Sequence, residues 1–331
     1  MTGRQARLKE VFGAWVMVSV VTAGSAGIAL GAEMQWRGTE KRDRENRIAR
    51  SGDTVMSDQQ HHGSVWLTSL ALGSDLLILG DAAQVAVTAE WISIHTPYLP
   101  RLRIGNALLF PNQPTRDDVI EWVRHLELKV GPTAAKFGRI AWQGGVPSDD
   151  VYAAFEQVGF EPYDSLSMQA TALHPQQRST DVVIKPVSSA ADWDSLLNFH
   201  LQANPVTSTS DEDFLRTRLN LYRTQSEKGQ AAWFTALHHN RVVGCCGVAV
   251  GEQIARLQGL ETSTSNRRSG VGRQLVTTAS QWALNSVGVR RIVAVVDPDY
   301  HARRLFESVG FEPHDLACGV VPTESYFPPA D

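Results

Sequence analysis

From about Val65 onward, short apolar runs alternate with stretches whose apolar residues recur every three or four positions. Val65–Gly80 and Ala83–His95 are apolar and β-branched, and Asn106–Phe110 predicts a short strand ended by Pro111. Asp117–Val130 predicts a helix, with Thr115 as its cap and Val119, Ile120, Val123, Leu126 and Val130 on one face. Arg139–Trp142 reads as a strand, and Ser148 caps a helix that runs to Val158. Leu173–Asp181 is polar, contains Pro175 and reads as a linker. Beyond it come a strand at Val182–Val187, a helix at Ala190–Gln202 and a helix at Asp211–Ser226 capped by Ser210. Strands at Ala232–His238 and Arg241–Val250 meet in a tight turn at His239–Asn240, where the histidines read as solvated turn residues. A strand at Glu252–Leu260, a helix from Val271, a strand at Arg291–Val296, a helix at His301–Val309 and a last strand from Phe311 complete the order. Antiparallel hairpins followed by βαβα predict a mixed α/β fold.

One segment returns almost verbatim. Residues 155–164 read Phe-Glu-Gln-Val-Gly-Phe-Glu-Pro-Tyr-Asp, and residues 306–315 read Phe-Glu-Ser-Val-Gly-Phe-Glu-Pro-His-Asp. A repeat at that offset implies two copies of one domain, not a short-period solenoid. Its physical content is a helix ended by glycine in a left-handed cap, then a strand whose Phe packs back on the helix.

Composition removes several function classes. A net charge of −4 gives no footprint for nucleic acid. Three cysteines, two of them adjacent at Cys245–Cys246, fit neither a disulfide framework nor a zinc site, and point to a reducing compartment. Neighbours on a strand face opposite ways, so these two thiols have separate environments and read as small buried filler.

The N-terminal 64 residues differ from the rest. Residues 11–32 carry no charge, a length sufficient to span a bilayer, and residues 33–55 hold six Lys or Arg and five acidic residues with almost nothing to bury. Three readings fit. The segment is a membrane anchor with the main body in the cytoplasm, a cleaved export signal, or an over-extended start ahead of Met56.

Chemistry concentrates at Arg267-Arg268-Ser269-Gly270-Val271-Gly272, followed by Arg273. A glycine-containing turn that opens a helix aims free backbone N–H groups at one spot, where the helix dipole adds positive charge. Glycines let a phosphate approach that backbone, and the arginines screen a polyanion. A dinucleotide fingerprint would need glycine at Leu275, and no Gly-Lys-Ser/Thr exists for a P-loop.

Arg267-x-x-Gly270-x-Gly272 between strand and helix, with Ala302-x-x-Leu305-Phe306-x-x-x-Gly310-Phe311 downstream, resembles the two signatures of the GCN5-related N-acetyltransferases (GNAT). The resemblance implies an α/β mixed-sheet fold of two tandem GNAT-like acyl-CoA N-acyltransferase domains. A degenerate copy would span 65–172, a linker 173–181 and an acetyl-CoA-binding copy 182–331. It further implies acetyl-CoA as co-substrate without a metal, and an amine-bearing small molecule or peptide as acceptor. Leu260 and Thr262 would pair with the pantetheine arm, and Arg267, Arg268, Ser269, Gly270, Val271, Gly272 and Arg273 would hold the pyrophosphate. Asp299 and Phe306, also implied as cofactor-binding, occupy positions where the family has Asn and Tyr, so Phe306 cannot protonate the leaving thiolate; water or Tyr300 would substitute, or the thiolate leaves unprotonated. Glu261 is the candidate general base, against the alternative of a surface carboxylate at a strand end.

Shifting 267–272 back by the repeat offset gives Arg116-Asp117-Asp118-Val119-Ile120-Glu121, which has no glycine and three carboxylates. The first copy is therefore expected not to bind acetyl-CoA. Two other activities keep the fold: an acyl-CoA-binding pseudo-enzyme or sensor, and an aminoacyl-type transferase, whose usual basic tRNA surface the net charge does not support.

Overall fold

The computed structural model describes residues 66–175, 181–203, 208–299 and 302–323. Leu70–Gly73 (α1) and Asp75–Leu79 (α2) are short helices where the sequence shows only an apolar run. Gln84–Val87 (β1), Ile92–His95 (β2), Ala107–Phe110 (β3), Val119–Val130 (α3), Pro132–Ala135 (α4), Arg139–Trp142 (β4), Asp149–Gln157 (α5) and Phe160–Ala170 (β5) follow. The second half comprises Val183–Pro186 (β6), Ala190–Ala203 (α6), Thr209–Glu227 (α7), Ala231–His238 (β7), Arg241–Val250 (β8) and Ile254–Thr262 (β9). Val271–Trp282 (α8), Arg291–Val296 (β10), Ala302–Val309 (α9) and Glu312–Pro322 (β11) complete it.

Among the described residues eleven strands form one sheet, in the order β1-β2-β3-β4-β11-β5-β10-β9-β8-β7-β6. The two ends are alike in pattern, with one more strand on the β6 side. β3 runs parallel to β4 as β9 does to β10, and antiparallel neighbours lie outside each pair. At the centre the two late strands trade places. β5 lies against β10 and β11 lies against β4, and the two pair with each other from Glu312↔Gln169 to Pro322↔Phe160. Neither half closes its sheet with its own last strand.

The repeated segment ends alike in both halves. Gly159 (φ 80°) and Gly310 (φ 113°) stop α5 and α9 in the left-handed region. Phe160 then returns to Phe155 at 6.3 Å between ring centroids, and Phe311 to Phe306 at 5.4 Å. Three apolar cores result: one under α3 and α5, one under α8 and α9, and one on the opposite sheet face beneath α1, α2, α6 and α7. Cys245 joins the last of these and Cys246 the α8 side, so the adjacent thiols do face opposite ways. All three cysteines are free and buried.

Local capping differs in one place from the sequence reading. Ser208, not Ser210, caps α7, its hydroxyl accepting from the Asp211 N–H, because two more residues join the first turn. Thr115 and Asp118 form a reciprocal capping box ahead of α3. At the turn between β7 and β8, His239 (φ 48°) and Asn240 (φ 61°) both adopt the conformation that matches strand twist in a two-residue hairpin.

Polar groups join the halves. Asp75, 1% exposed, accepts from Arg139 at 2.6 Å and from Arg256 at 3.2 Å, bridging β4 and β9 beneath α2. Asp315 accepts from Ser69 at 2.5 Å and from Ser167, tying the start of α1 to β5 and β11. Gln225 of α7 donates to the Ile78 carbonyl, and Arg101 meets Asp211 at 2.6 Å. The first half thus covers the face of the second half on which α6 and α7 lie. Among the described residues no helix is long and apolar enough to cross a membrane. Residues 11–32, most of the linker and Tyr300 lie outside the described residues.

Candidate functional site

β9 and β10 are hydrogen-bonded partners only from Arg291↔Ile254 to Val293↔Arg256, although β9 continues to Thr262 and β10 to Val296. Beyond Arg256 the strands part, and main-chain groups of Leu257–Thr262 lose their β10 partner. Such an edge inside a sheet can accept an extended molecule as an added strand. Leu260 and Thr262 both lie on this stretch, which keeps β8 as its neighbour on the other side.

The parted strand leads into the glycine loop. Gly270 is the N-cap of α8 at φ 92°, no side chain caps the helix, and its first turn holds no acidic residue. Its leading N–H groups therefore remain available to an anion. Arg267, Arg268 and Ser269 are exposed, Val271 anchors the turn in the core, and Gly272 and Arg273 are half-buried. Among the described residues none of the three arginines makes an ion pair; Arg267 reaches the Thr262 carbonyl at 3.4 Å. Arg268 holds φ 64°, a conformation unusual for a residue with a side chain. The corresponding helix of the first half, α3, differs in kind. Asp118 already occupies its N-terminus, donors at Thr115 included.

One expected contact is corrected. Phe306 is 1% exposed and packs inside the α8–α9 core against Phe311, so it is a core residue and offers no face to a cofactor. Asp299 is exposed, and its own N–H donates to Asp297 Oδ1 in a turn after β10.

Glu261 is not a surface carboxylate. Its side chain is 14% exposed, and Oε2 lies 2.8 Å from Nδ1 of His200, which α6 carries in from above the sheet. Cys245, its cross-strand partner on β8, places Sγ 3.9 Å from His200 Nε2 and donates to the Gly259 carbonyl at 3.4 Å. Burial pushes the His200 imidazole below its ordinary value and so favours a neutral ring, outweighing the Glu261 carboxylate, which acts the other way. Burial likewise holds the Cys245 thiol well above its usual range, so it stays protonated. His200, Cys245 and Glu261 also form a group of three possible metal ligands, with atoms within 4.8 Å of one another.

A bulge sets the position of Glu261. The β8–β9 register shifts between Cys245↔Glu261 and Gly247↔Gln258, with the extra residue in β9 and Gly259 at φ 57°. A Cβ at Gly259 would lie 2.5 Å from the Trp233 ring, so only glycine fits. Sequence reasoning missed His200 and Arg218. Their signal was present: His200 shares a face of α6 with Trp193, Leu196 and Phe199, and Arg218 shares one of α7 with Leu215, Leu219 and Tyr222.

Residues 193–311 match the sequence model of the acetyltransferase (GNAT) family. No curated protein matches the sequence. Among solved structures, a functionally unknown conserved protein from Staphylococcus epidermidis is similar at 11% identity and TM-score 0.60, covering 73% of this chain and 94% of its own. A GCN5-related N-acetyltransferase from Kribbella flavida is similar at 16% identity and TM-score 0.50, covering 77% of this chain and 96% of its own. At these identities the likeness concerns the fold, and it extends beyond residues 193–311 into the first half of the sheet.

Proposed function

The chain carries a domain of the acetyltransferase (GNAT) family at residues 193–311, and from that premise we propose that it transfers an acetyl group from acetyl-CoA to an amine by direct attack in a ternary complex. The observation that carries the reading is the parting of β9 from β10 immediately ahead of an uncapped helix N-terminus. The pantetheine arm pairs with the main chain around Leu260 and Thr262, and the pyrophosphate takes the N–H groups between Arg268 and Arg273.

Each chemical step falls to a group at the end of β9. Glu261, held by His200, accepts the proton of the attacking amine. A main-chain N–H at Leu260 or Glu261 steadies the carbonyl oxygen as it gains charge. The freed amine nitrogen bonds to the carbonyl carbon, the C–S bond breaks, and CoA leaves as a thiolate that then takes up the proton the nitrogen sheds on becoming an amide. With Phe306 buried no acid is needed there, because a thiol of pKa about 8.5 departs readily near neutral pH. The two halves are copies of one unit that exchanged last strands. The first, with α3 capped by its own carboxylate, holds no CoA and walls the acceptor side of the second.

Release of free thiol from acetyl-CoA across a panel of amines tests the reading, with CoA affinity measured by calorimetry. Turnover with one amine class is expected. Retained CoA binding without turnover on any amine would defeat the enzyme and leave a CoA-binding protein.

A further inference from the structure

We propose that the acceptor is an amino-acid-type molecule, whose carboxylate is held by Arg218 while its amine faces Glu261. The inference rests on the acyl-transfer reading and names the acceptor of that same site.

Arg218 lies on α7 and is 6% exposed. Its guanidinium sits 5.8 Å from the Phe214 ring centroid and 6.0 Å from that of Tyr222. It donates no hydrogen bond to a described residue, and its Nε is buried without a partner. A guanidinium carries five donors, and burying it without an acceptor is strongly unfavourable. The other buried arginines are different: Arg139 and Arg256 both reach Asp75. Even Arg101, whose guanidinium also lies over the Phe214 ring, meets Asp211 at 2.6 Å. Arg218 is built to receive an anion that the described residues do not supply.

Its place defines the ligand. α7 packs on α6 and on β7, and the Arg218 charge acts on both His200 and Cys245. A cation and the Glu261–His200 pair therefore share one buried layer. Gln258, on the same side of β9, is 3% exposed with neither amide atom partnered, leaving further donors and acceptors there. Opposite charges in one layer complement a zwitterion. Glu261 receives the ammonium end and relieves it of a proton, and Arg218 grips the carboxylate with its planar fork.

Two other ligands fit less well. A metal ion on His200, Cys245 and Glu261 would be repelled by Arg218 and would need the thiol that burial keeps protonated. A phosphate dianion would bring two negative charges to one cation, beside the Glu261 carboxylate.

The test uses the full chain loaded with CoA. The proteinogenic amino acids and their carboxamides, which keep the amine and lose the carboxylate, are titrated by calorimetry and assayed for thiol release with acetyl-CoA. At least one amino acid is expected to bind and turn over, with its carboxamide about 100-fold weaker, the scale of hydrogen bonds to a charged group. Arg218→Gln should erase that preference, and Arg218→Lys should keep part of it. Unchanged CoA affinity reports that each variant is folded. Equal binding of acid and carboxamide, or no amino acid bound, overturns the inference. Carboxylate-dependent binding without thiol release would instead sink the acyl-transfer reading and leave the anion site standing.

Discussion

His200 Nδ1 and Glu261 Oε2 meet at 2.8 Å, although one residue rides on α6 and the other ends β9. A carboxylate so placed is held in one orientation by the ring. Glu261→Gln should lower kcat by about 10²–10⁴, the usual contribution of a positioned base, with the KM for acetyl-CoA unchanged. The deficit should shrink as pH approaches the pKa of the amine, because free amine no longer needs a base. His200→Gln should lower kcat less, since it only releases the carboxylate. Stopped-time thiol assays across pH read both effects, and a pH-independent deficit in Glu261→Gln would remove Glu261 from the proton path.

The same ring controls stability. Burial lowers the folded-state pKa of His200 below its ordinary value of about 6.5, so the unfolded chain takes up this proton first as pH falls. Its contribution is complete above pH 6.5 and declines below it, with a slope of at most about 1.4 kcal/mol per pH unit. The stability difference between the natural protein and His200→Gln should be constant from pH 7 to 8 and shrink toward pH 5.5 in thermal melts. A difference that holds constant down to pH 5.5 would show that the ring titrates alike in the folded and unfolded chain, and one that grows would show that it is charged in the fold.

The glycine loop, the mixed fold, both signatures and the hairpin at His239–Asn240 were legible because each is local. Backbone conformation and helix capping act over a few residues, and a short sequence states them directly. The central placement of β5 beside β10 and of β11 beside β4 was not legible. The two strands carry nearly the same opening residues, so nothing local says which half each one joins; packing against β10 or β4 decides it. Phe306 shows the complementary failure. A motif places the position, but only the packing of its ring on Phe311 reveals that it faces inward. His200 and Arg218 lay in plain view on apolar helix faces, yet the pattern could not say what they face across the sheet.

Asp75 supports the joint between the halves. It is fully buried, and its two oxygens hold arginines from β4 and β9. Asp75→Ala leaves two buried guanidinium groups without their acceptor, which should destabilise the fold by about 3–5 kcal/mol. Asp75→Asn keeps the shape and one acceptor oxygen and should cost less. Chemical denaturation measures both, and a loss below 1 kcal/mol for the alanine variant would mean that water or another group replaces the carboxylate.

Gly270 and Gly272 separate backbone strain from ligand access. Gly270 holds φ 92°, so Gly270→Ala must strain the turn at about 1–2 kcal/mol and shift the N–H groups of α8. Gly272 has no such constraint. A Cβ there would lie 3.4 Å from Leu305 and 3.6 Å from Thr262, ordinary contacts that the fold tolerates. Gly272→Ala should therefore leave the melting temperature unchanged while weakening CoA binding, because the added methyl stands where the phosphates approach the backbone. Gly270→Ala should lower both. Calorimetry with CoA, paired with thermal melts, distinguishes the two residues. Undiminished CoA affinity in Gly272→Ala and in the bulkier Gly272→Val would mean that the pyrophosphate sits elsewhere than at the start of α8.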